Sequence, residues 1–374
     1  MNIKSVLLLI VILSLLFIRE IGRQCYLLNI RWLYIIVLSF SVTYFLVPFV
    51  IKIAYKYNLL DYPDERKIHN VATPRVGGIA LFLGIIISLL RNLQFAKEIL
   101  GLLIGLLIVF FISLLDDIYS LDAFIRLLAQ IIASLVVIMF GFRITAVPVG
   151  FPLENFLEII LTLIWFVGII NAINFLDGID GLVTGFGIFC SFIFLGLSLL
   201  TQQQYVSYLS AVLLGTSLGF LPYNWYKAKI FLGDSGSAIV GFMLAAISVI
   251  GWWAEKNPVV SLSTPVLILS VPIYDIVYIT ISRIKNKQVR NLKEWIKYVG
   301  KDHIHHRLLN LGFSVPVSVL IILLISFCLS LYTIVIRYAV FTDKIALVIL
   351  FQSMLIFTIL SIFMIVGKKK NDFD

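Results

Sequence analysis

With 374 residues, 61% of them hydrophobic and only 13% charged, this chain has too little polar surface to cover a water-soluble core. The mean hydropathy of +1.07 excludes an ordinary soluble enzyme and makes the lipid bilayer the solvent. The formal net charge of +9 is spread over segments between apolar runs, and nothing in its distribution points to a nucleic-acid partner.

A bilayer crossing needs about 20 mainly apolar residues. Runs of that kind fall at about 5–18, 32–55, 77–90, 99–115, 124–141, 156–173, 182–200, 205–222, 236–253, 260–280, 315–337 and 343–366. Backbone groups in lipid must bond within their own segment, so helices are expected rather than strands. The expected fold is all-α: one polytopic membrane domain over 1–374, with about 11–12 transmembrane helices. The first run resembles a signal-peptide core in length. Only Lys4 precedes it, and Arg19, Glu20 and Arg23 follow where a small-residue cleavage site would stand, so a retained helix is expected. The three cysteines, Cys25, Cys190 and Cys328, are too widely spaced for a disulfide framework or a metal site.

The loops after every second span begin near residues 56, 116, 174, 223 and 281, and therefore emerge on one face. They carry nearly all the clustered Asp, His and Asn residues. They also carry the larger share of Lys and Arg, including Lys52, Arg66, Lys67, Arg75, Arg126, Lys227, Lys229 and the basic stretch from Arg283 to Arg307. Such an excess marks the cytoplasmic side, so these loops are expected to face the cytoplasm. The longest hydrophilic stretch, about 282–314, has room for a short amphipathic helix around Leu292 to Val299 and could grip anionic headgroups.

In chain order, the first polar loop offers Arg66, Lys67, His69 and Arg75 as a cationic pocket for phosphates. Gly77 and Gly78 follow at a helix start, where free N–H groups favour anions; an ordinary basic loop is the competing reading. Asp116 and Asp117 come directly after an apolar run. Adjacent carboxylates there suit a hard cation or a helix cap. The next motif, Asn171, Asn174, Asp177 and Asp180, is interleaved with Gly178 and Gly181 between two long apolar runs. Positions 171, 174 and 177 recur every three residues and are expected near one helix face. A simple turn would not need four such side chains. Asp234 stands in Gly233-Asp-Ser-Gly-Ser237, shortly after Lys227 and Lys229. It can supply a metal-binding carboxylate beside lysines that face phosphate. Finally, His303, His305 and His306 precede Arg307, and the fourth histidine is His69. Zinc does not fit, since no cysteine or spaced histidine pair completes a ligand set. Acids, cations and glycine breaks gathered on one face supply what phosphoryl transfer requires.

Taken in order, these motifs resemble the bacterial polyprenyl-phosphate N-acetylhexosamine-1-phosphate transferases of the WecA-like glycosyltransferase family 4, related to the MraY type. The His-Ile-His-His-Arg pattern of 303–307 favours the WecA-like type, and the resemblance covers about residues 50–315. It leaves the helix 5–18 and two helices over 315–366 as additions. The resemblance implies transfer of an N-acetylhexosamine 1-phosphate, most simply GlcNAc 1-phosphate, from a UDP-sugar to undecaprenyl phosphate. UMP would be released, as the first step of a cell-envelope glycan. It implies Mg²⁺, with Mn²⁺ as a substitute, and a multi-pass protein of the bacterial inner membrane. The implied partners are UDP-N-acetylhexosamine, undecaprenyl phosphate, the membrane lipid and, as an assembly, a homodimer.

Carried over by position, Asp116 and Asp117 would handle the lipid phosphate and its proton. Asp234 would bind the metal, with Asp177 as a second carboxylate. Asn171, Asn174, Asp177 and Asp180 would shape the nucleotide and metal pocket, and His303, His305 and His306 would contact the donor. Arg66, Lys67, His69, Arg75, Lys229 and Arg307 would hold substrate. Two departures stand out: Lys227-Ala-Lys229 replaces the usual Pro-Ala-Lys, and Arg126 stands where lysine is common. Both keep positive charge. The alternatives are a phospho-N-acetylmuramoyl-pentapeptide transferase and, from another class, an ion-coupled transporter. A transporter is disfavoured because the acids lie at span ends on one face with no internal repeat.

Overall fold

The computed structural model describes residues 14–63, 71–92, 97–145, 147, 150–253, 258–298, 300–338 and 343–368. In chain order its helices are α1 Arg19–Leu27, α2 Arg31–Lys56, α3 Gly78–Asn92, α4 Lys97–Tyr119, α5 Ala123–Met139 and α6 Glu154–Leu176. They continue with α7 Leu182–Leu200, α8 Gln204–Asn224, α9 Gly233–Ile250, α10 Pro258–Ile268 and α11 Ser270–Lys285. The last are α12 Leu292–Lys297, α13 Ile304–Asn310, α14 Val315–Tyr338 and α15 Asp343–Val366. Among the described residues the only strands are β1 Leu60–Asp61 and β2 Thr73–Pro74, which pair antiparallel.

Among the described residues seven helices are long and apolar enough to cross a membrane: α2, α4, α6, α7, α8, α9 and the Val315–Ile334 part of α14. The pair α10 and α11 makes an eighth if counted as one bent span, and Gly78–Asn92, Ala123–Met139 and Phe351–Val366 are shorter apolar helices. The protein is thus a multi-pass membrane helical bundle. Of the expected first helix, 5–18, residues 5–13 lie outside the described residues.

The run expected as one span over 260–280 is instead broken, with its halves bent by 81°. Pro272 has no N–H to donate to the Ile268 carbonyl four residues earlier. That carbonyl meets the Cys190 thiol at 3.7 Å instead.

Helix α9 lies at the centre, with 78% of its apolar window buried, against α3, α4, α6, α7 and α8. Lipid supplies no hydrophobic drive for helices to associate, so close packing of small residues does it. Helices α2 and α8 meet at Gly215, where an added Cβ would lie 2.0 Å from Ser39 Oγ. One continuous set of buried apolar residues runs from Leu16 to Met364. The C-terminal helix joins it where Tyr274 and Ser361 hydroxyls meet at 2.7 Å and Asn310 Nδ2 donates to the Gly367 carbonyl at 3.2 Å. The ends of α4, α6 and α8, the start of α9, and α13 thereby converge at one end of the bundle.

Candidate active site

The convergence begins at the last turn of α4. That helix continues through Tyr119, so Asp116 and Asp117 are helical residues rather than the loop expected after Leu115. Helix continues because each carboxylate has a partner. Asp117 accepts the Asp234 amide at 2.8 Å, the Ser235 amide at 3.0 Å and the Ser235 hydroxyl at 2.5 Å. A carboxylate from one helix thus caps the positive end of another, α9. Gly233 makes this approach feasible: its φ is +74°, and a Cβ would stand 2.1 Å from the Arg75 carbonyl and 2.8 Å from Asp117 Oδ2.

The segment around Arg75 is laced to the same loop. Phe231 N donates to Pro74 O at 2.8 Å, Gly77 N to Phe231 O at 3.1 Å and Gly78 N to Leu232 O at 2.9 Å. The amides of Gly77 and Gly78, expected to be open to an anion, are therefore already used. Their glycine character serves backbone contact with α9, since a Cβ at Gly78 would lie 2.5 Å from the Gly236 nitrogen.

Asp116 turns the other way. It is 5% exposed, accepts the Leu121 amide at 2.6 Å and pairs with Arg126 at 2.8 Å. The same Arg126 nitrogen stands 3.6 Å from Asp234 Oδ2, so one guanidinium bridges two carboxylates.

Of the expected three-residue series, Asn174 and Asp177 reach the central cavity and Asn171 does not. Asn171 gives its amide hydrogens to Gln130 Oε1 at 2.6 Å and Val167 O at 2.8 Å. A spacing of three falls about 60° short of a full turn, so the series drifts around the helix. Helix α6 ends at Leu176, and Asp177 follows as its cap. Asp180 accepts the Ala228 amide at 3.0 Å, which ties this turn to the Lys227–Lys229 loop. Loss of solvent, and after it the charges of Asp234, Asp117 and Asp180, hold the Asp177 carboxyl well above the usual carboxylate range.

The histidines divide. His306 lines the cavity; burial first, then His303 and Lys301, push its imidazole down to about 4. His305 is 1% exposed, and neither ring nitrogen has a hydrogen-bond partner among the described residues. It packs on Gly178, where a Cβ would lie 1.9 Å from Nε2, and burial followed by the neighbouring histidines holds it well below the usual range. His303 Nδ1 meets Asp275 at 2.8 Å, and neither His303 nor His305 lines the cavity. Arg307 is buried, with Nε donating to Asp302 O at 3.2 Å, and it is not a lining residue.

The cavity measures about 820 Å³, within the range of small-ligand sites. Asp61, Asp117, Asp177, Asp180 and Asp234 line it together with Arg75, Lys227, Lys229, Asn174, Asn224 and His306. Ile51, Tyr55, Ile179 and Val315 give it an apolar side. Arg66, Lys67 and His69 lie outside the described residues. Asp275 escaped the motif reading, although an ionisable residue inside an apolar run is itself a signal of function.

Among the described residues no group of three or more His, Cys, Asp or Glu side chains could hold a metal ion unaided. The donor set still fits a magnesium-type ion, which takes one or two carboxylates and completes its shell with water and substrate phosphate. Crowded carboxylates that raise one another's proton affinity, as around Asp177, are what such an ion relieves.

The sequence pattern of glycosyl transferase family 4 matches residues 99–252. Over 315 residues the chain is 34% identical to a Bacillus subtilis protein named probable undecaprenyl-phosphate N-acetylglucosaminyl 1-phosphate transferase, covering 83% of this chain and 86% of that one. It is 34% identical over 316 residues to the decaprenyl-phosphate N-acetylglucosaminephosphotransferase of Mycobacterium tuberculosis, covering 76% and 77% respectively. Similarity to the phospho-N-acetylmuramoyl-pentapeptide-transferase of Listeria monocytogenes is lower, 27% over 58% of this chain and 76% of that one.

Proposed function

The chain belongs to glycosyl transferase family 4, and from that premise we propose that it transfers N-acetylglucosamine 1-phosphate from UDP-N-acetylglucosamine to undecaprenyl phosphate, releasing UMP. The observation that carries this reading is the composition of one cavity wall. Asp117, Asp177 and Asp234 line, together with Arg75, Lys227 and Lys229, one space that could receive a diphosphate and its cation. Transfer of a phosphoryl group depends mainly on such positioning and charge neutralisation.

In this reading Arg75, Lys227 and Lys229 bind donor phosphates, and Asn174 and Asp180 orient the nucleotide end. An oxygen of the lipid phosphate attacks the sugar-linked phosphorus. The bond to the bridging oxygen breaks, and that oxygen leaves with UMP. A phosphate monoester has a second pKa of about 6, so at neutral pH the nucleophile is mostly dianionic and needs no strong base. Asp116, expected with Asp117 to handle the lipid phosphate and its proton, pairs with Arg126. Mg²⁺ bound through Asp234, with Asp177 beside it, would neutralise the diphosphate and the departing UMP. The apolar side with Ile51 and Tyr55 would admit the lipid end of the acceptor. The site would face the cytoplasm from a bacterial inner membrane, as the distribution of Lys and Arg supports.

The test is UMP release by purified protein in liposomes containing undecaprenyl phosphate, offered UDP-GlcNAc, UDP-GalNAc and UDP-MurNAc-pentapeptide in turn. Turnover of UDP-GlcNAc that EDTA abolishes and Mg²⁺ restores is expected. Turnover of the pentapeptide donor alone, or of none, would reject the proposal.

A further inference from the structure

Among the ionisable side chains of membrane helices that the functional reading leaves unused is Asp275. Asp275 sits on α11 with only 2% of its surface exposed. A carboxylate is costly in such a place unless it is paired and hydrogen-bonded. Both of its oxygens are engaged by one short segment. Oδ2 meets His303 Nδ1 at 2.8 Å, and Oδ1 accepts the Ile304 amide, the first of α13, at 2.9 Å.

An ionised carboxylate only accepts hydrogen bonds, so this contact puts a hydrogen on Nδ1. Nε2 is then the ring atom left over, since the bond to Asp275 is the one hydrogen bond this ring makes among the described residues. Packing prevents the ring from turning away: His303 lies 5.3 Å from the Phe175 ring and stacks within 5° of parallel on His305. Helix α11 also grips the preceding residue. Arg283, 1% exposed, forks onto Asp302 through bonds of 2.9 and 2.7 Å, with Tyr298 4.5 Å from the guanidinium carbon.

We propose that Asp275 is a positioning residue of the transfer reaction that acts through His303, fixing the imidazole with its hydrogen on Nδ1 and leaving Nε2 available to the bound donor. The inference rests on the reading of the cavity as a sugar-phosphate transfer site. It adds a residue outside the motifs, and it explains why a histidine that does not line the cavity is held so tightly.

Asp275→Asn separates positioning from folding. Its side-chain oxygen can still accept from Ile304 N–H, so α13 keeps its cap. Its amide hydrogens then face His303 Nδ1, and the ring must become an acceptor there and carry its hydrogen on Nε2. UMP release is expected to fall about 10–100-fold, the usual cost of losing the group that orients a functional histidine, with the thermal midpoint nearly unchanged. In a His303→Gln background the same change should cost less than about twofold, whereas in a His306→Gln background it should keep its full effect.

A second readout needs no substrate. The chain has four histidines, so ¹⁵N-histidine spectra can be assigned by single substitutions, and the His303 hydrogen should move from Nδ1 to Nε2 in Asp275→Asn. A tautomer indifferent to Asp275→Asn, or losses that simply multiply with His303→Gln, would overturn the proposal. If wild-type protein released no UMP from any donor, the transferase reading would fall, and the nitrogen spectra would still decide what Asp275 does to His303.

Discussion

Asp117 and Ser235 stand 118 positions apart in sequence and share two hydrogen bonds, 3.0 Å from the serine amide and 2.5 Å from its hydroxyl. This contact joins the end of one membrane helix to the start of another and places Asp234 at the cavity. Asp117→Asn would turn an amide group toward donors that need acceptors. A loss of about 1–3 kcal/mol in stability is expected, read as a lower thermal midpoint in detergent, with a fall in UMP release of at least about tenfold. Normal turnover and an unchanged midpoint would show that the capping contact does not organise the site.

Gly178→Ala tests the fit of His305 under the loop. The added methyl would lie 1.9 Å from Nε2, so loop or ring must move, at a cost of about 1–3 kcal/mol. Asp177 and Asp180 flank this glycine, and turnover should drop with stability. Adding His305→Ser makes room and should return part of the lost thermal midpoint. If the double variant is no more stable than the single one, the contact is not the cause.

Arg126 lies 2.8 Å from Asp116 and 3.6 Å from Asp234. Arg126→Ala leaves Asp116 buried without a cation, which should cost about 1–3 kcal/mol. Arg126→Gln removes a positive charge beside the proposed cation carboxylate. The Mg²⁺ concentration for half-maximal UMP release should therefore fall even as the maximal rate declines. Arg126→Lys should rescue only in part, because the shorter lysine side chain ends before the position of the guanidinium nitrogen that meets both carboxylates. A rise in the Mg²⁺ requirement in Arg126→Gln would contradict this arrangement.

The pH dependence of stability has a definite sign. His306 titrates near 6.5 when unfolded and near 4 when folded, so between those values the unfolded chain holds more protons. Stability should fall as pH drops through that window, with His305 acting in the same direction. In thermal melts His306→Gln should make the fall shallower and change nothing above about pH 7. Asp177 runs the other way. Its folded carboxyl keeps its proton to higher pH than the unfolded one, so ionisation on raising the pH costs stability. Mg²⁺ should accordingly raise the thermal midpoint more at pH 7 than at pH 5. Equal effects at both would remove Asp177 from the cation site.

Much of this was legible in the chain itself. Runs such as 182–200 and 205–222 appear as the helices Leu182–Leu200 and Gln204–Asn224, because the length and apolarity of a membrane span are local properties. Asp117, Asp177 and Asp234 do meet Arg75, Lys227 and Lys229 around one cavity. What the motifs could not show was which member of each does what. Asp116 and Asp117 are neighbours, yet one holds Arg126 and the other caps α9. Asn171 binds Gln130 while Asn174 reaches the cavity. His303 is held by Asp275, a residue in no motif.

The amino-acid order by itself determined a polytopic bundle and the end of it that carries the chemistry, because crossing lipid depends only on apolar length and on where the charges fall. The tertiary structure alone decided each side chain's partner. A helix's rotation about its axis is set by neighbours distant in sequence, and a rotation of a third of a turn separates a cavity wall from a buried contact.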